Sequence, residues 1–180
     1  VALTGAGRLA RVTPEGVVTE FPLARKDGEP AGLVTGPDGA LWVTLRHANA
    51  VLRVTPDGDA KEFPLPVANG RPEAIAEGGG FLWIVMSNAP KIVRLSPSGE
   101  TKEISLPGGA AGLAKGPDGA LWFGMPLSAR LGRIEGNGSP SFVSLPKGAG
   151  PLHPATGPAG TLLVTEVSGS KLLRVRGIGR

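Results

Sequence analysis

No cysteine and no tyrosine occurs in these 180 residues. The first absence excludes disulfide scaffolds, thiolate metal sites and thiol nucleophiles together. The second, with aromatics at only 4% of the chain, removes most of the platforms on which single-stranded nucleic acids stack. Charge of one sign is never run together. Nineteen Lys and Arg against 15 Asp and Glu give a net charge of +4, but they are scattered, and Arg25, Lys26 and Lys61 have no aromatics interleaved among them. Nucleic acid and membrane surfaces are therefore not the expected partners. No apolar run approaches the roughly 18 residues of a membrane helix, and Val1 does not open a basic-then-apolar leader. The expectation is a soluble chain, cytoplasmic or secreted after loss of a leader. A GxSxG elbow, an HExxH pair and a Walker loop are all missing.

What the chain has in excess is glycine, 29 residues, and proline, 18, and both are periodic. GPDGALW stands at 36–42 and again at 116–122, with EGGGFLW at 77–83 and GPAGTLL at 157–163. Trp42, Trp83, Trp122 and Leu163 are thus 41, 39 and 41 residues apart. A second marker, RVTPEG at 11–16, returns as RVTPDG at 53, RLSPSG at 94, RIEGNG at 133 and a worn RVRG at 174. A third, EFPL at 20–23, returns at 62, then as EISL at 103 and FVSL at 142. Three markers in one fixed order are the signature of a repeat architecture, and a period of about 40 residues suits blades of four short strands.

Within one unit, 31–35 reads as a first strand, Pro37-Asp38-Gly39 as a tight turn, and 41–45 as a second strand. Residues 51–55 alternate as a third strand, Pro56-Asp57-Gly58 turns the chain again, and 60–65 forms a fourth, ended by Pro64 and Pro66. No segment shows helical spacing. The expected fold is all-β: a β-propeller of four-stranded antiparallel blades, in one domain over 1–180. It holds a partial unit at 1–27, complete units at 30–67, 71–107 and 110–146, and a partial unit at 151–180. Joining the two partial units would make a fourth blade, with the third strand present twice, at 9–13 and 172–176. The rival arrangement is part of a longer propeller of roughly six or seven blades, or a ring completed by a second copy or another chain, since open strand edges attract partners.

The run GPDGALWVT, then ANAVLRVTPDG, then AKEFPLP resembles the virginiamycin B lyase (streptogramin lyase) family, whose repeats read GPDG, LWFTE, NKIGRI, TPDG and EFPLP in that order. The resemblance covers nearly the whole chain and implies a propeller, here a partial or shortened member. It also implies a Mg²⁺-dependent elimination that opens the ester of a cyclic depsipeptide antibiotic without water, with a metal stabilising the developing anion and a base taking the α-proton. The family's parts are an E-P-H triplet at the start of a blade and a Glu at the end of the LWFTE strand. Here Glu29-Pro30 is followed by Ala31, and Leu45 ends the strand. The next unit has Arg71-Pro72-Glu73 with Met86, and the next Gly109-Ala110-Ala111 with Met125. The last has Gly150-Pro151-Leu152, then His153 one place late, with Glu166 at the strand end. No unit holds the full set.

His153 is the candidate catalytic residue, and Glu166 the candidate metal ligand, because its counterparts Leu45, Met86 and Met125 are apolar and a carboxylate there needs a cation, a donor or water. Mg²⁺ is the cofactor if the lyase reading holds. His47, beside Arg46, reads as a solvated loop residue. Arg11, Arg53, Arg94, Arg133 and Arg174 recur in every unit, which favours a structural role tying adjacent blades over an anion-binding ring. Trp42, Trp83 and Trp122 read as inter-blade core. Asn137-Gly138-Ser139 fits a glycosylation acceptor. Three readings remain: a propeller that binds a small-molecule or protein ligand at the channel mouth, a carbon-oxygen lyase with part of its site outside this chain, and a purely structural repeat unit.

Overall fold

The computed structural model describes residues 1–136, 138–167 and 169–175; Asn137 of the glycosylation triplet and Arg176 at the end of the last expected strand fall outside them. Among the described residues eighteen strands form five separate antiparallel sheets, numbered as blades in chain order. The first holds β1 (Ala2–Leu3), β2 (Arg8–Val12) and β3 (Val18–Pro22). The second holds β4 (Pro30–Thr35), β5 (Leu41–Leu45), β6 (Ala50–Val54) and β7 (Ala60–Pro64). The third holds β8 (Pro72–Gly78), β9 (Phe81–Met86), β10 (Lys91–Leu95) and β11 (Thr101–Ser105). The fourth holds β12 (Ala111–Lys115), β13 (Leu121–Met125), β14 (Arg130–Ile134) and β15 (Pro140–Ser144), and the fifth β16 (Pro151–Gly157), β17 (Thr161–Glu166) and β18 (Lys171–Val175). The first strands β4, β8, β12 and β16 pack side by side along the inner line of the arc, as propeller blades do around a channel. The two terminal units remain two sheets, with no strand of one paired to a strand of the other among the described residues.

The repeated words of the sequence do local work. In GPDG, Gly39 and Gly119 turn the chain at φ +76° and +78°, a conformation that glycine adopts without strain. The aspartate then ties three elements together. Asp38 accepts hydrogen bonds from the Ala40 amide at 3.3 Å, from Trp42 Nε1 at 2.9 Å and from Arg53 Nε at 2.5 Å. Asp118 does the same for Ala120, Trp122 and Arg133, at 3.3, 3.0 and 2.7 Å. Gly36 and Gly116 precede these turns because the indole lies against them: a Cβ on Gly36 would meet Trp42 Nε1 at 2.3 Å. Where EGGG replaces GPDG, Trp83 Nε1 instead donates to the Gly78 carbonyl at 2.9 Å, and the Arg94 guanidinium stacks 4.2 Å over Phe81.

The core lies between blades. Trp42 is packed with Phe63 and Leu65 of its own blade and with Leu82, Ile84 and Leu95 of the next. Trp83 stands in the cluster that joins Ile92 and Ile104 to Leu121 and Phe123, and Trp122 in the one that joins Leu131 to Leu162 and Val164. Such wholly apolar junctions supply the burial that four short strands lack by themselves. The recurrent arginines depart from the expectation that they tie neighbouring blades. Arg53 and Arg133 pair with the turn aspartate of their own blade, because the third strand runs beside the second and Arg53 stands opposite Trp42, Arg133 opposite Trp122. Arg11 and Arg174 stand at the same place with no ion pair or ring partner among the described residues.

Candidate functional site

Each first strand enters its blade through an irregularity. Register shifts lie between Pro30 and Leu33, Pro72 and Ile75, Ala111 and Ala114, and Pro151 and Pro154. Bulges of this kind re-aim side chains at a sheet rim. In the second blade the gap is held by Thr44, whose hydroxyl accepts from the Gly32 amide at 2.9 Å and donates to the Glu73 carbonyl of the next blade at 2.8 Å. Backbone and backbone approach so closely here that a Cβ on Gly32 would meet the Glu73 carbonyl oxygen at 2.6 Å.

Around this junction, at the end where β4 and β8 begin and β5 ends, five charged or titratable side chains converge. Arg46 is central, with its side chain 20% exposed. Its Nε donates to Glu73 Oε2 at 2.7 Å, its Nη2 to Glu73 Oε1, and its Nη1 to Glu29 Oε1 at 3.4 Å. The hydrogen bond to Glu73, opposed by burial and reinforced by the charges of Glu73 and Glu29, holds the guanidinium more firmly protonated than a free arginine. Arg71 Nη2 reaches to 3.6 Å from Glu29 Oε1, and His47 Nε2 stands 3.0 Å from Glu29 Oε2. Glu29 Oε2 is buried beside that imidazole. Glu29 and Arg71 also share a left-handed backbone at φ +53°, a conformation that costs about 1–3 kcal/mol in a non-glycine residue and marks sites where position matters more than ease of folding.

The residues singled out from sequence stand elsewhere. His153 lies on β16 of the fifth blade and is exposed; its amide donates to Thr165 Oγ1 at 3.1 Å, the counterpart of the Gly32–Thr44 bond. It fills the repeat position of Gly32 and Gly112, and its imidazole rests beside Gly112. Glu166 ends β17, half-buried and opposite Pro151 and Lys171 in register. No hydrogen bond or ion pair joins His153 to Glu166 among the described residues. Arg71 and Glu73 were legible only as departures from the lyase pattern, and Arg46 only as the neighbour of His47. The signal that groups them is that Glu29, Arg71 and Glu73 stand at the starts of two adjacent first strands, while Arg46 directly follows the strand paired with one of them.

Magnesium finds no fitting donors around Glu29, whose carboxylate faces the guanidinium groups of Arg46 and Arg71, a setting that repels a divalent ion.

Side-by-side first strands and apolar inter-blade junctions define a β-propeller. Residues 1–112 match the model of the virginiamycin B lyase family, and the chain belongs to that family. It is 30% identical to selenomethionine-substituted virginiamycin B lyase from Staphylococcus aureus, with a TM-score of 0.89 over 98% of this chain and 62% of that one. It is 29% identical to a catalytically inactive S. aureus virginiamycin B lyase with quinupristin, with a TM-score of 0.84 over 95% of this chain and 63% of that one. The chain thus spans less than two thirds of the length of these two relatives. A gluconolactonase from Xanthomonas campestris, 18% identical with a TM-score of 0.73 over 98% of this chain and 68% of that one, shares the fold alone. No curated protein sequence matches.

Proposed function

We propose that this chain is a ligand-binding member of the lyase family that engages an amide- and ester-rich small molecule at the mouth formed by Glu29, Arg46, His47, Arg71 and Glu73. The observation that carries this reading is the convergence of Arg46, His47 and Arg71 with Glu29 and Glu73 at one end of two adjacent first strands. Arg46 is committed to two carboxylates, which leaves the more exposed Arg71 and His47 as donors to ligand carbonyls. Such a set orients a neutral, polar ligand. It lacks a free base beside a metal, which the elimination implied by the family requires.

Quinupristin is the probe. Titration calorimetry with and without Mg²⁺ is expected to give saturable binding that Arg71→Ala weakens by about tenfold, the loss of one charge-assisted hydrogen bond. Chromatography of the incubated mixture is expected to return the probe unchanged. Elimination breaks the ester C–O bond, sends the α-proton to a base and releases a carboxylate, so its product elutes differently at the same mass. The appearance of that product with Mg²⁺ would replace this reading with the lyase one, and would direct mutagenesis to Glu166 and His153.

A further inference from the structure

The charged set at the mouth belongs to one junction of the array. Arg46 of the second blade reaches across to Glu73 of the third, while Arg71 of the third reaches back to Glu29 of the second. At the next junction the same repeat positions hold Ser87, Ala111 and Gly109 in place of Arg46, Glu73 and Arg71. At the one after it they hold Pro126, Leu152 and Gly150. Both of those junctions pack around apolar clusters, so joining two blades does not call for the charged side chains.

Beneath the charges lies Thr44, buried with 0% exposure. Its counterparts are Val85, likewise fully buried, and Gly124, against which the next blade's backbone lies so closely that a Cβ would meet the Leu152 oxygen at 2.6 Å. The threonine hydroxyl thus stands where the two following blades have a methyl or nothing. It accepts from the Gly32 amide at 2.9 Å and donates to the Glu73 carbonyl at 2.8 Å. Gly32 and Glu73 both fall in bulges, without a partner in the register of their own blades. The hydroxyl therefore joins the two bulges by bonds that the strand ladders do not provide.

We propose that Thr44 is a positioning residue for the ligand mouth. Its hydroxyl holds the Glu73 backbone, and so places the carboxylate that receives Arg46 through two parallel hydrogen bonds, Nε to Oε2 at 2.7 Å and Nη2 to Oε1. Such a fork tolerates little displacement of either partner. With Arg46 committed in this way, Arg71 and His47 are left to face the ligand. Loss of the hydroxyl strands the Gly32 amide and the Glu73 carbonyl, and the backbone shift that satisfies them again carries the Glu73 carboxylate with it. The consequence for binding rests on the ligand-binding reading above; the alignment of Arg46 does not.

Three variants of the 180-residue chain separate these roles. Thr44→Val keeps the shape and deletes the hydroxyl, a substitution whose fit Val85 demonstrates one blade on. Thr44→Ser and Thr44→Ala both drop the methyl and differ only in the hydroxyl. Solvent exchange of the Arg46 Nε proton, followed by NMR of the ¹⁵N-labelled protein, is the readout that needs no ligand. Valine and alanine should each speed that exchange at least about fivefold, and serine should hold it within about twofold of the parent. In calorimetry, quinupristin should bind the valine and alanine variants about fivefold more weakly and the serine variant as the parent does. Unchanged Arg46 exchange in a hydroxyl-free variant that keeps the parent's circular dichroism spectrum overturns the proposal, as does exchange in the serine variant as fast as in the alanine one. Undiminished quinupristin binding by a folded hydroxyl-free variant overturns it too. A parent that binds no quinupristin, while serine and alanine still separate in exchange, sinks the ligand reading and leaves the positioning of Arg46 standing.

Discussion

The junction between the first and second blades and the junction between the second and third are built from the same repeat positions, and only one of them is sealed. On the sealed side an indole, a phenyl ring and a guanidinium form a single stack, packed with Ile75, Leu82 and Leu95 of the facing blade. On the open side Phe21 is 47% exposed and Leu33 37%, against 7% for Phe63 and for Ile75. A large planar group buried at a seam covers the apolar residues of both blades together. Most of the stability of such arrays resides in these nearest-neighbour contacts.

The largest effect should come from Trp42→Ala, which removes the group that seals the second junction. Denaturant unfolding should show a loss of about 3–5 kcal/mol, the range for deleting a buried aromatic. An unchanged midpoint would break the comparison. Next is a matched pair. Phe63→Ala should destabilise by about 3 kcal/mol, whereas Phe21→Ala, half-exposed at the open junction, should lose no more than about 1 kcal/mol. Equal losses would mean that Phe21 is as buried in solution as Phe63.

Acid provides a third distinction. Burial pushes the Asp38 carboxyl up, but hydrogen bonds from Trp42, Arg53 and the Ala40 amide, with the charge of Arg53, outweigh it and leave the group below its ordinary 3.8. For Asp118 burial is likewise outweighed, by Arg133, Trp122 and the Ala120 amide. A carboxyl lowered by folding adds stability above its unfolded value, and that contribution is lost as pH falls through the folded value. The double variant Asp38→Asn, Asp118→Asn should therefore be less stable at neutral pH and show a flatter decline below about pH 4. An unaltered decline in urea titrations would show that these two carboxyls do not govern acid unfolding. The smallest effect contrasts Arg53→Ala, at about 1 kcal/mol, with Arg11→Ala, at under about 0.5 kcal/mol; comparable losses would place an unrecognised partner beside Arg11.

Much of this was readable in advance. The second strand expected at 41–45 is β5, Leu41–Leu45, because Trp42 and the turn residues before it fix both register and limits. The third strands start and end one residue earlier than alternation suggested, as in β6, Ala50–Val54, because Thr55 already belongs to the turn, its amide donating to Asp59. The mouth was harder to see. Glu29, Arg46 and Glu73 lie 17 and 27 residues apart, two in connections and one at the start of β8, and their meeting depends on how two bulged strands lie side by side. Periodicity reports that such strands recur; it does not report which of their flanking side chains face one another. The arginines were assigned to blade-to-blade contacts on recurrence alone, which cannot separate a partner within the repeat from one beyond it.

The bonding of the turn aspartate has an evolutionary corollary. Asp38, Trp42 and Arg53 satisfy one another entirely inside one unit, and the hydrocarbon of the ring is what they offer across the boundary. A unit of this kind carries its polar obligations with it. It can be duplicated, or its neighbour exchanged for a diverged copy, without stranding a charge or a hydrogen-bond donor at the new seam. Arrays of unequal blade number and widely drifted sequence are what such a module permits.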